Sequence, residues 1–262
     1  MKPLLLVPTY NTGRILPRTV AELLARWPEV WVVVDGSRDG STSLLEPLVI
    51  EHPGLRVLSL PENRGKGAAL LHGVEAAAAL GFTHVLTVDA DGQHPADQVP
   101  RFLELAGRHP QAALMGRPVF GPEAPQVRVQ GRKLSNFMTH IETLAWGIPD
   151  SLFGMRLYPV DAFLQAFRGT RWGRRFDYDA ELAVRLAWRG VPMLTVPVPV
   201  RYLTSAEGGV SQFRYLRDNA LLTWMHVRLL AGAILRLPWL CLLRLRGGNP
   251  LRGQPVPPET AS

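Results

Sequence analysis

Cysteine is almost absent from this 262-residue chain: Cys241 stands alone. One thiol closes no internal disulfide, so the fold is expected to rest on its core, with a reducing, cytoplasmic setting as the default. Charge is also sparse, at 19% of residues against 47% hydrophobic. That balance excludes a disordered polyelectrolyte and suits one large domain with a sizeable core. Long apolar runs are missing too. The N-terminal run ends at Pro8, too soon for the core of a signal peptide. The most apolar stretch, 213–246, is punctuated by Arg228, Arg236, Arg244, Arg246 and Pro238. No segment reaches the ~20 apolar residues needed to cross a bilayer as a helix. No G-x-G-x-x-G follows the first apolar run, which counts against a dinucleotide dehydrogenase. No Walker spacing is present, which disfavours an NTPase.

Acidic residues are short in the second half. The chain carries 29 Lys and Arg against 22 Asp and Glu, for a net charge of +7, and from residue 128 onward the count is 18 against 9. Nearly all of that excess is arginine, which suits phosphate recognition or an anionic surface. Nucleic acid would fit the charge alone, but no motif supports it and no specific nucleic-acid partner is expected.

Apolar runs at Leu4–Val7, Val30–Val34, Leu55–Leu58, Val85–Val88 and Ala112–Met115 predict strands. Helical spacing predicts helices over Ile15–Trp27, Ser43–Glu51, Lys66–Leu80 and Ala96–Gly107 between them. Apolar strands alternating with helices imply an α/β fold with a mainly parallel sheet covered on both faces. Further helices are predicted over Val129–Trp146, Asp161–Phe167 and Asp179–Trp188. Met193–Val200, with its prolines, reads as an edge strand or a connector. The expected organisation is a nucleotide-sugar-binding domain over 1–210, amphipathic helices over 211–246, and a flexible tail over 247–262.

Polar residues recur where these strands end, the edge at which open α/β sheets bind ligands. Val88-Asp89-Ala90-Asp91-Gly92-Gln93-His94 places two carboxylates one residue apart just after a strand. Hard divalent ions take oxygen ligands and complete their shell with substrate phosphates, so Mg²⁺ or Mn²⁺ is the expected cofactor. A helix-capping turn ahead of Pro95 is the plainer explanation of the same residues. Asp35-Gly36-Ser37 offers a carboxylate to a ribose or base, and the plainer explanation of the turn is that Ser41 or Asp39 caps the next helix. Asn63-Arg64-Gly65-Lys66-Gly67 sets cations and glycines at a helix start, where phosphate is favoured.

Taken in order with Val7-Pro8-Thr9-Tyr10-Asn11, these motifs resemble family 2 glycosyltransferases, over roughly residues 3–205. The nearest resemblance is to dolichyl- and polyprenyl-phosphate mannose synthases and related lipid-linked enzymes. It continues through Asp150-Ser151-Leu152-Phe153-Gly154-Met155-Arg156 and Phe176-Asp177-Tyr178-Asp179-Ala180-Glu181. The resemblance implies a GT-A-type nucleotide-diphospho-sugar transferase domain and inversion at the anomeric carbon. It assigns Pro8, Tyr10 and Asp35 to the nucleoside, and Asp89, Asp91 and Gln93 to the metal. Arg117, Arg132 and Ser135 match positions used for an acceptor phosphate, and Arg201 one near the donor diphosphate, where Lys66 adds charge.

The Glu-Asp pair that many members carry beside an acceptor hydroxyl is not plainly present. An ionised phosphate needs no base, so its absence favours a phosphate acceptor; for a hydroxyl acceptor, Asp179 is the candidate base. The expected partners are a GDP- or UDP-sugar, a lipid or lipid-phosphate acceptor, and a membrane surface reached through the 213–246 helices. The expected location is cytoplasmic, peripheral on the inner face of the cell membrane. Two other classes stay open. A sugar-nucleotide pyrophosphorylase would want a glycine-rich first turn, and a non-catalytic membrane-surface module would keep only the fold.

Overall fold

The computed structural model describes residues 1–120, 126–200, 215–254 and 256, leaving aside the side chains of 126–131 and 215–216. Arg201 lies outside the described residues.

Strands β1 (Pro3–Thr9), β2 (Val30–Asp35), β3 (Leu55–Leu60), β4 (His84–Thr87), β5 (Ala113–Val119), β6 (Arg156–Pro159) and β7 (Met193–Pro199) form one sheet in the order β3-β2-β1-β4-β6-β5-β7. The apolar runs follow from burial on both faces. Leu4, Leu6, Trp31 and Val33 point into one core, while Leu5, Val7, Val32 and Val34 point into the other. Each fully buried aliphatic side chain contributes roughly 1.5–3 kcal/mol of burial.

The helices are α1 (Ile15–Leu24), α2 (Glu46–Glu51), α3 (Lys66–Ala79), α4 (Val99–Arg108), α5 (Gln126–Glu142), α6 (Val160–Phe167), α7 (Tyr178–Trp188), α8 (Tyr215–Leu235) and α9 (Leu237–Leu245). Residues of α3, α6 and α7 fill the first core; residues of α1 and α4 fill the second.

β1–β4 are parallel, as are β5 and β7, but β6 runs antiparallel between β4 and β5. This reversal was not expected from the sequence. It brings the loop before Arg156 to the edge where β4 delivers Asp89, since Thr87 pairs with Arg156. β7 lies at the sheet edge, where its prolines leave no ladder partner wanting.

Several boundaries differ from the sequence reading. The helix expected to reach Trp146 stops at Glu142, because Leu144 and Ala145 turn the chain with positive φ of 47° and 57°. The helix expected to reach Trp27 stops at Leu24, and the Trp27 indole donates to the Pro3 carbonyl at 3.2 Å. The expected flexible tail from residue 247 is anchored at its start: buried Asn249 exchanges hydrogen bonds of 3.0 and 2.8 Å with the Met193 backbone.

The 213–246 segment holds two helices bent by 72° at a break, with Pro238 in the first turn of α9. No single described helix is long and apolar enough to cross a membrane. Met225, Leu229, Ala233 and Leu240 join the first core, so the pair is packed onto the sheet domain. Its other side leaves Trp224, Val227, Ile234, Leu235, Trp239 and Leu245 exposed, and α5 adds Leu134, Phe137 and Ile141.

Candidate active site

The site begins with a buried hub beneath the strand ends. The Lys66 ammonium, at the start of α3, lies 2.8 Å from Asp89 Oδ1 and 2.9 Å from Asp179 Oδ2. Burial opposes its charge, but the two carboxylates outweigh burial and raise its pKa. Asp89 is held below the usual carboxylate range: burial acts against it, yet the Lys66 ammonium favours its ionised form. Burial raises Asp179, offset in part by Lys66 and Arg156, and its Oδ1 is buried without a hydrogen-bond partner.

Lys66 is positioned by glycines. A Cβ on Gly67 would meet the Gly173 carbonyl at 2.0 Å, and one on Gly65, at φ 98°, would meet the Arg174 carbonyl at 2.4 Å. The start of α3 therefore sits directly on the loop ahead of α7. Asp35 builds the turn just before it. Both its oxygens accept donors, from Arg64 N–H at 2.7 Å, Gly65 N–H at 2.7 Å and Asn63 Nδ2 at 3.0 Å, and the residue is only 2% exposed. Direct contact with a nucleoside was expected of Asp35; its visible work is to fix this turn.

Asp91 follows one residue beyond Ala90. Its Oδ1 accepts the Gln93 backbone N–H at 3.0 Å. Burial, then repulsion from Asp89, pushes its pKa up to about 6. Two carboxylates thus face one region, and Lys66 alone does not neutralise them both. That is the setting in which a hard dication replaces a proton, and the oxygen donors of Asp89 and Asp91 fit such an ion. Among the described residues no cluster of three acidic, His or Cys ligands forms, so further ligands would come from outside the protein's acidic groups. Gln93 shows a role only through its backbone. His94 supports the turn: Asp89 N–H donates to its Nδ1 at 3.0 Å, and its ring meets Phe153 edge-on at 4.7 Å. Burial pushes His94 down to about 4, so the ring is neutral and free to accept.

Of the residues expected to line a nucleoside pocket, Pro8 is buried in β1, and Tyr10 is half-buried beyond its end. The loops after β1 and β2 are tied together. Asn11 N–H donates to Ser37 Oγ at 3.0 Å, Arg38 N–H to Asn11 Oδ1 at 2.8 Å, and Gly13 N–H to Asp39 Oδ2 at 2.8 Å.

The third wall comes from α5 and the loop before β6. Arg132 pairs with Asp150 at 2.8 Å, and its guanidinium lies 5.7 Å from the centre of the Phe120 ring. Asn136 Oδ1 accepts the Ser151 N–H at 2.7 Å. Ser135, expected to face an acceptor, is buried, with Oγ 2.9 Å from Ser151 Oγ and 3.0 Å from His226 Nε2. Arg117 is exposed on β5 where it pairs with β7.

Three residues outside the expected substrate and metal sets hold these walls together; Glu181 was expected to orient neighbours or cap charges. Arg156, with no exposure, donates to the Asp150 carbonyl at 2.9 Å and to the Asp179 carbonyl. Glu181 is buried between Arg185 at 2.7 Å and Arg228 at 3.0 Å. Asp177 accepts the Arg175 and Gly173 N–H groups at 3.0 and 3.2 Å, shaping the loop on which α3 rests. The acidic run 177–181 showed Asp177 and Glu181 to be available, but only the fold gives them, and Arg156, their partners.

A family model described as Glycosyl transferase family 2 matches residues 5–167. The chain is 30% identical over 213 residues to the undecaprenyl-phosphate mannosyltransferase of Micrococcus luteus, covering 76% of this chain and 83% of that protein. It is 27% identical to the polyprenol monophosphomannose synthase of Mycolicibacterium smegmatis, covering 80% of each. In fold it is similar to glucosyl-3-phosphoglycerate synthase from Mycobacterium tuberculosis, solved with Mn²⁺, uridine diphosphate and phosphoglyceric acid. That match has a TM-score of 0.64 at 16% identity and covers 88% of this chain and 78% of the other. The seven-stranded, mostly parallel sheet with its helices is a GT-A-type α/β fold.

Proposed function

We infer the activity from one premise: the chain belongs to glycosyl transferase family 2. The proposed reaction moves a sugar from a nucleotide-diphosphate sugar, GDP- or UDP-linked, to a polyprenyl-phosphate acceptor, with inversion at the anomeric carbon. The lipid-phosphate class is drawn from the names of the two relatives, one an undecaprenyl-phosphate mannosyltransferase and the other a synthase of polyprenol monophosphomannose. The observation that carries the reading is the acidic pair at the end of β4, with the Lys66 hub below it and the Arg132–Asp150 wall beside it.

In this mechanism the tied loops after β1 and β2, with Pro8 and Tyr10, form the nucleoside wall, and Asp35 keeps the Asn63–Gly65 turn in place. Asp89 and Asp91 would hold a divalent ion, with Gln93 beside them. Such an ion supplies Lewis-acid stabilisation of a departing diphosphate. Lys66 holds Asp89 in its ionised form, and Arg201 adds charge on the donor side. Arg132 and Arg117 draw the acceptor phosphate, with Ser135 one turn along α5 from Arg132. Phosphate oxygen attacks in line and no proton need be removed.

Burial of Asp179 Oδ1 without a partner favours one second reading, in which this carboxylate takes the proton of a hydroxyl acceptor. The two readings part on acceptor choice: a phosphate acceptor leaves kcat largely independent of Asp179 ionisation, and a hydroxyl acceptor does not.

The exposed apolar residues of α5, α8 and α9 would rest on a membrane surface, with Arg236, Arg244 and Arg246 towards anionic headgroups. The proposed location is accordingly peripheral, on the cytoplasmic face of the membrane. A pyrophosphorylase is disfavoured by the first turn, which carries Pro8-Thr9-Tyr10-Asn11 rather than a glycine-rich loop. A non-catalytic module predicts no metal-dependent nucleotide binding. The test is transfer from GDP- and UDP-sugars to undecaprenyl phosphate, with Mn²⁺ or with chelator, after a thermal-shift screen of the donors. Absence of donor binding under every metal condition would refute the enzyme reading.

A further inference from the structure

Two arginines of the α8 segment each stack on a tryptophan. The Arg228 guanidinium lies 4.2 Å from the centre of the Trp172 ring, and that of Arg236, just past the end of α8, lies 4.6 Å from the centre of the Trp188 ring. Arg228 has its counter-charge, since Glu181 Oε2 lies 3.0 Å away. Arg236 has no acidic partner among the described residues. Its charged neighbour is instead a second cation, Arg189, at the end of α7. Arg189 and Arg236 line one open cavity of about 510 Å³, with Trp188, Leu235, Pro238 and Trp239.

The surrounding sequence offers this pair no acid. From residue 219 to residue 258 the chain holds five arginines and no aspartate or glutamate. Among the described residues each guanidinium of the pair makes one hydrogen bond, to a helix carbonyl: Arg189 to Arg185 at 3.3 Å, and Arg236 to Gly232 at 3.0 Å. A guanidinium carries five N–H donors, so most of theirs are unspent. Burial first, then the charges of Arg185 and Arg236, hold Arg189 below the ordinary guanidinium range, so the crowding costs free energy. An anion from outside relieves it, and guanidinium forks match phosphate oxygens. Helix α9 starts at this cavity and turns the favourable end of its dipole towards the same anion. The rim is apolar: Leu235, Leu237 and Trp239 are exposed, and the Trp239 indole is fixed by donating to the Trp188 carbonyl at 2.7 Å. A free anion has no use for such a rim; a phosphate that carries acyl chains does.

We propose that the break between α8 and α9 is a binding site for one anionic membrane phospholipid, its phosphate gripped by Arg189 and Arg236 and its acyl chains lying along Leu235, Leu237 and Trp239. The proposal rests on the reading that this face meets a membrane, and it replaces a diffuse positive field with a discrete site. In this geometry the phosphate does for Arg236 what Glu181 does for Arg228. None of the residues involved belongs to the acidic pair, the Lys66 hub or the Arg132 wall, so the site is distinct from the one proposed for transfer.

The test uses dihexanoyl phosphatidylglycerol below its micelle concentration, titrated into the full chain labelled with ¹⁵N-tryptophan. The Trp239 indole signal is assigned by difference against Trp239→Phe and should shift to saturation with one lipid per chain. Arg189→Gln with Arg236→Gln should weaken that binding at least about tenfold. The charge-matched control, Arg244→Gln with Arg246→Gln, should change it less than about twofold, because charges outside the cavity act only through screening solvent. Equal losses in the two double variants, or a shift that never saturates, would overturn the site. Inorganic phosphate and dihexanoyl phosphatidylcholine should each bind at least about tenfold more weakly. Parity of inorganic phosphate would overturn a lipid as the occupant, and parity of phosphatidylcholine would overturn the arginine pair as its grip. Should the glutamine pair fail to fold, Arg189→Glu gives Arg236 a counter-charge from within the chain and should abolish lipid binding; retained binding there would equally overturn the proposal. Sedimentation with phosphatidylglycerol vesicles separates the premise. Saturable binding of the monomeric lipid by a chain that sediments with no vesicle would sink the membrane reading and leave the site standing, whereas vesicle binding without a shift at Trp239 would sink the site alone.

Discussion

Gly154 lies against the carboxylate of Asp89 so closely that a Cβ at Gly154 would come within 2.3 Å of Oδ2. The residue is in ordinary backbone territory, so glycine is needed for room rather than for a special φ. Gly154→Ala should therefore fold and yet displace Asp89. A shift of about 1 Å in a reacting geometry can cost on the order of 100-fold in rate. Turnover should fall by about that much with the melting temperature nearly kept, as transfer assays and calorimetry on one preparation would show.

Asp91→Asn keeps size and shape and removes the charge. It should abolish the metal-dependent part of donor binding and reduce transfer by at least about 100-fold, by the scale seen when one electrostatic stabiliser is lost. The measurement is nucleotide binding by calorimetry with Mn²⁺ and with chelator. Full activity in the variant would remove Asp91 from the site.

Lys66→Met leaves Asp89 and Asp179 facing each other in a buried setting without their shared cation. Breaking a buried pair from one side costs about 3 kcal/mol or more. The variant should lose about that much stability in urea. Adding Asp179→Asn should recover a large part of it, because the stranded negative charge is gone. Equal losses in the single and double variants would mean that the ammonium does not bridge the two acids.

Proton competition at Asp91 sets a pH dependence. With its pKa pushed up to about 6, protonation begins to displace a metal ion as the pH falls through that value. Apparent Mn²⁺ affinity should weaken by up to tenfold per pH unit below about 6 and be flat above it. The same shift and that of His94 pull stability in opposite directions. Asp91 binds its proton in the folded chain from about 6 downward, before the unfolded chain does at 3.8, so acid stabilises through this group. His94 stays neutral down to about 4 while the unfolded chain protonates from 6.5, so acid destabilises through that one. Asp91→Asn should make the acid side of the stability curve steeper, and His94→Gln should flatten it. Urea midpoints across the pH range measure both.

Leu134 and Phe137 stand on α5 with 67% and 61% of their surface exposed, on a helix that packs against α8. Replacing both with Glu should cut sedimentation with anionic phospholipid vesicles at least several-fold while leaving donor binding intact. Unaltered vesicle binding would move the membrane contact elsewhere.

How much of this was legible in advance depends on how far each signal reached along the chain. Strands β1, β2 and β4 announced themselves because burial on both faces demands unbroken apolar runs. Strand β6 did not, since Arg156-Leu157-Tyr158-Pro159 opens on an arginine and ends on a proline. A buried Arg156 makes sense only with the carbonyls of Asp150 and Asp179 already in place. The Asp89–Asp91 spacing is local and could be read directly. Asp35 was legible as a strand-end acid, but its partners lie 28 to 30 residues further on. His226 gave no signal at all: its partners Glu142 and Ser135 are 84 and 91 residues away, and nothing about an isolated histidine in an apolar helix distinguishes it.

The reversed direction of β6 divides labour along the gene. The residues proposed for the donor from Pro8 to Asp91 are encoded before the reversal, with Arg201 after it, and the interval 117–155 carries Arg117, Arg132 and Ser135, proposed for the second substrate. With Gly154 kept against Asp89, sequence drift in the rest of that interval can change the proposed acceptor wall while the proposed grip on the nucleotide is retained. A chimaera exchanging only that interval between two such enzymes should inherit its donor from one parent and its acceptor from the other.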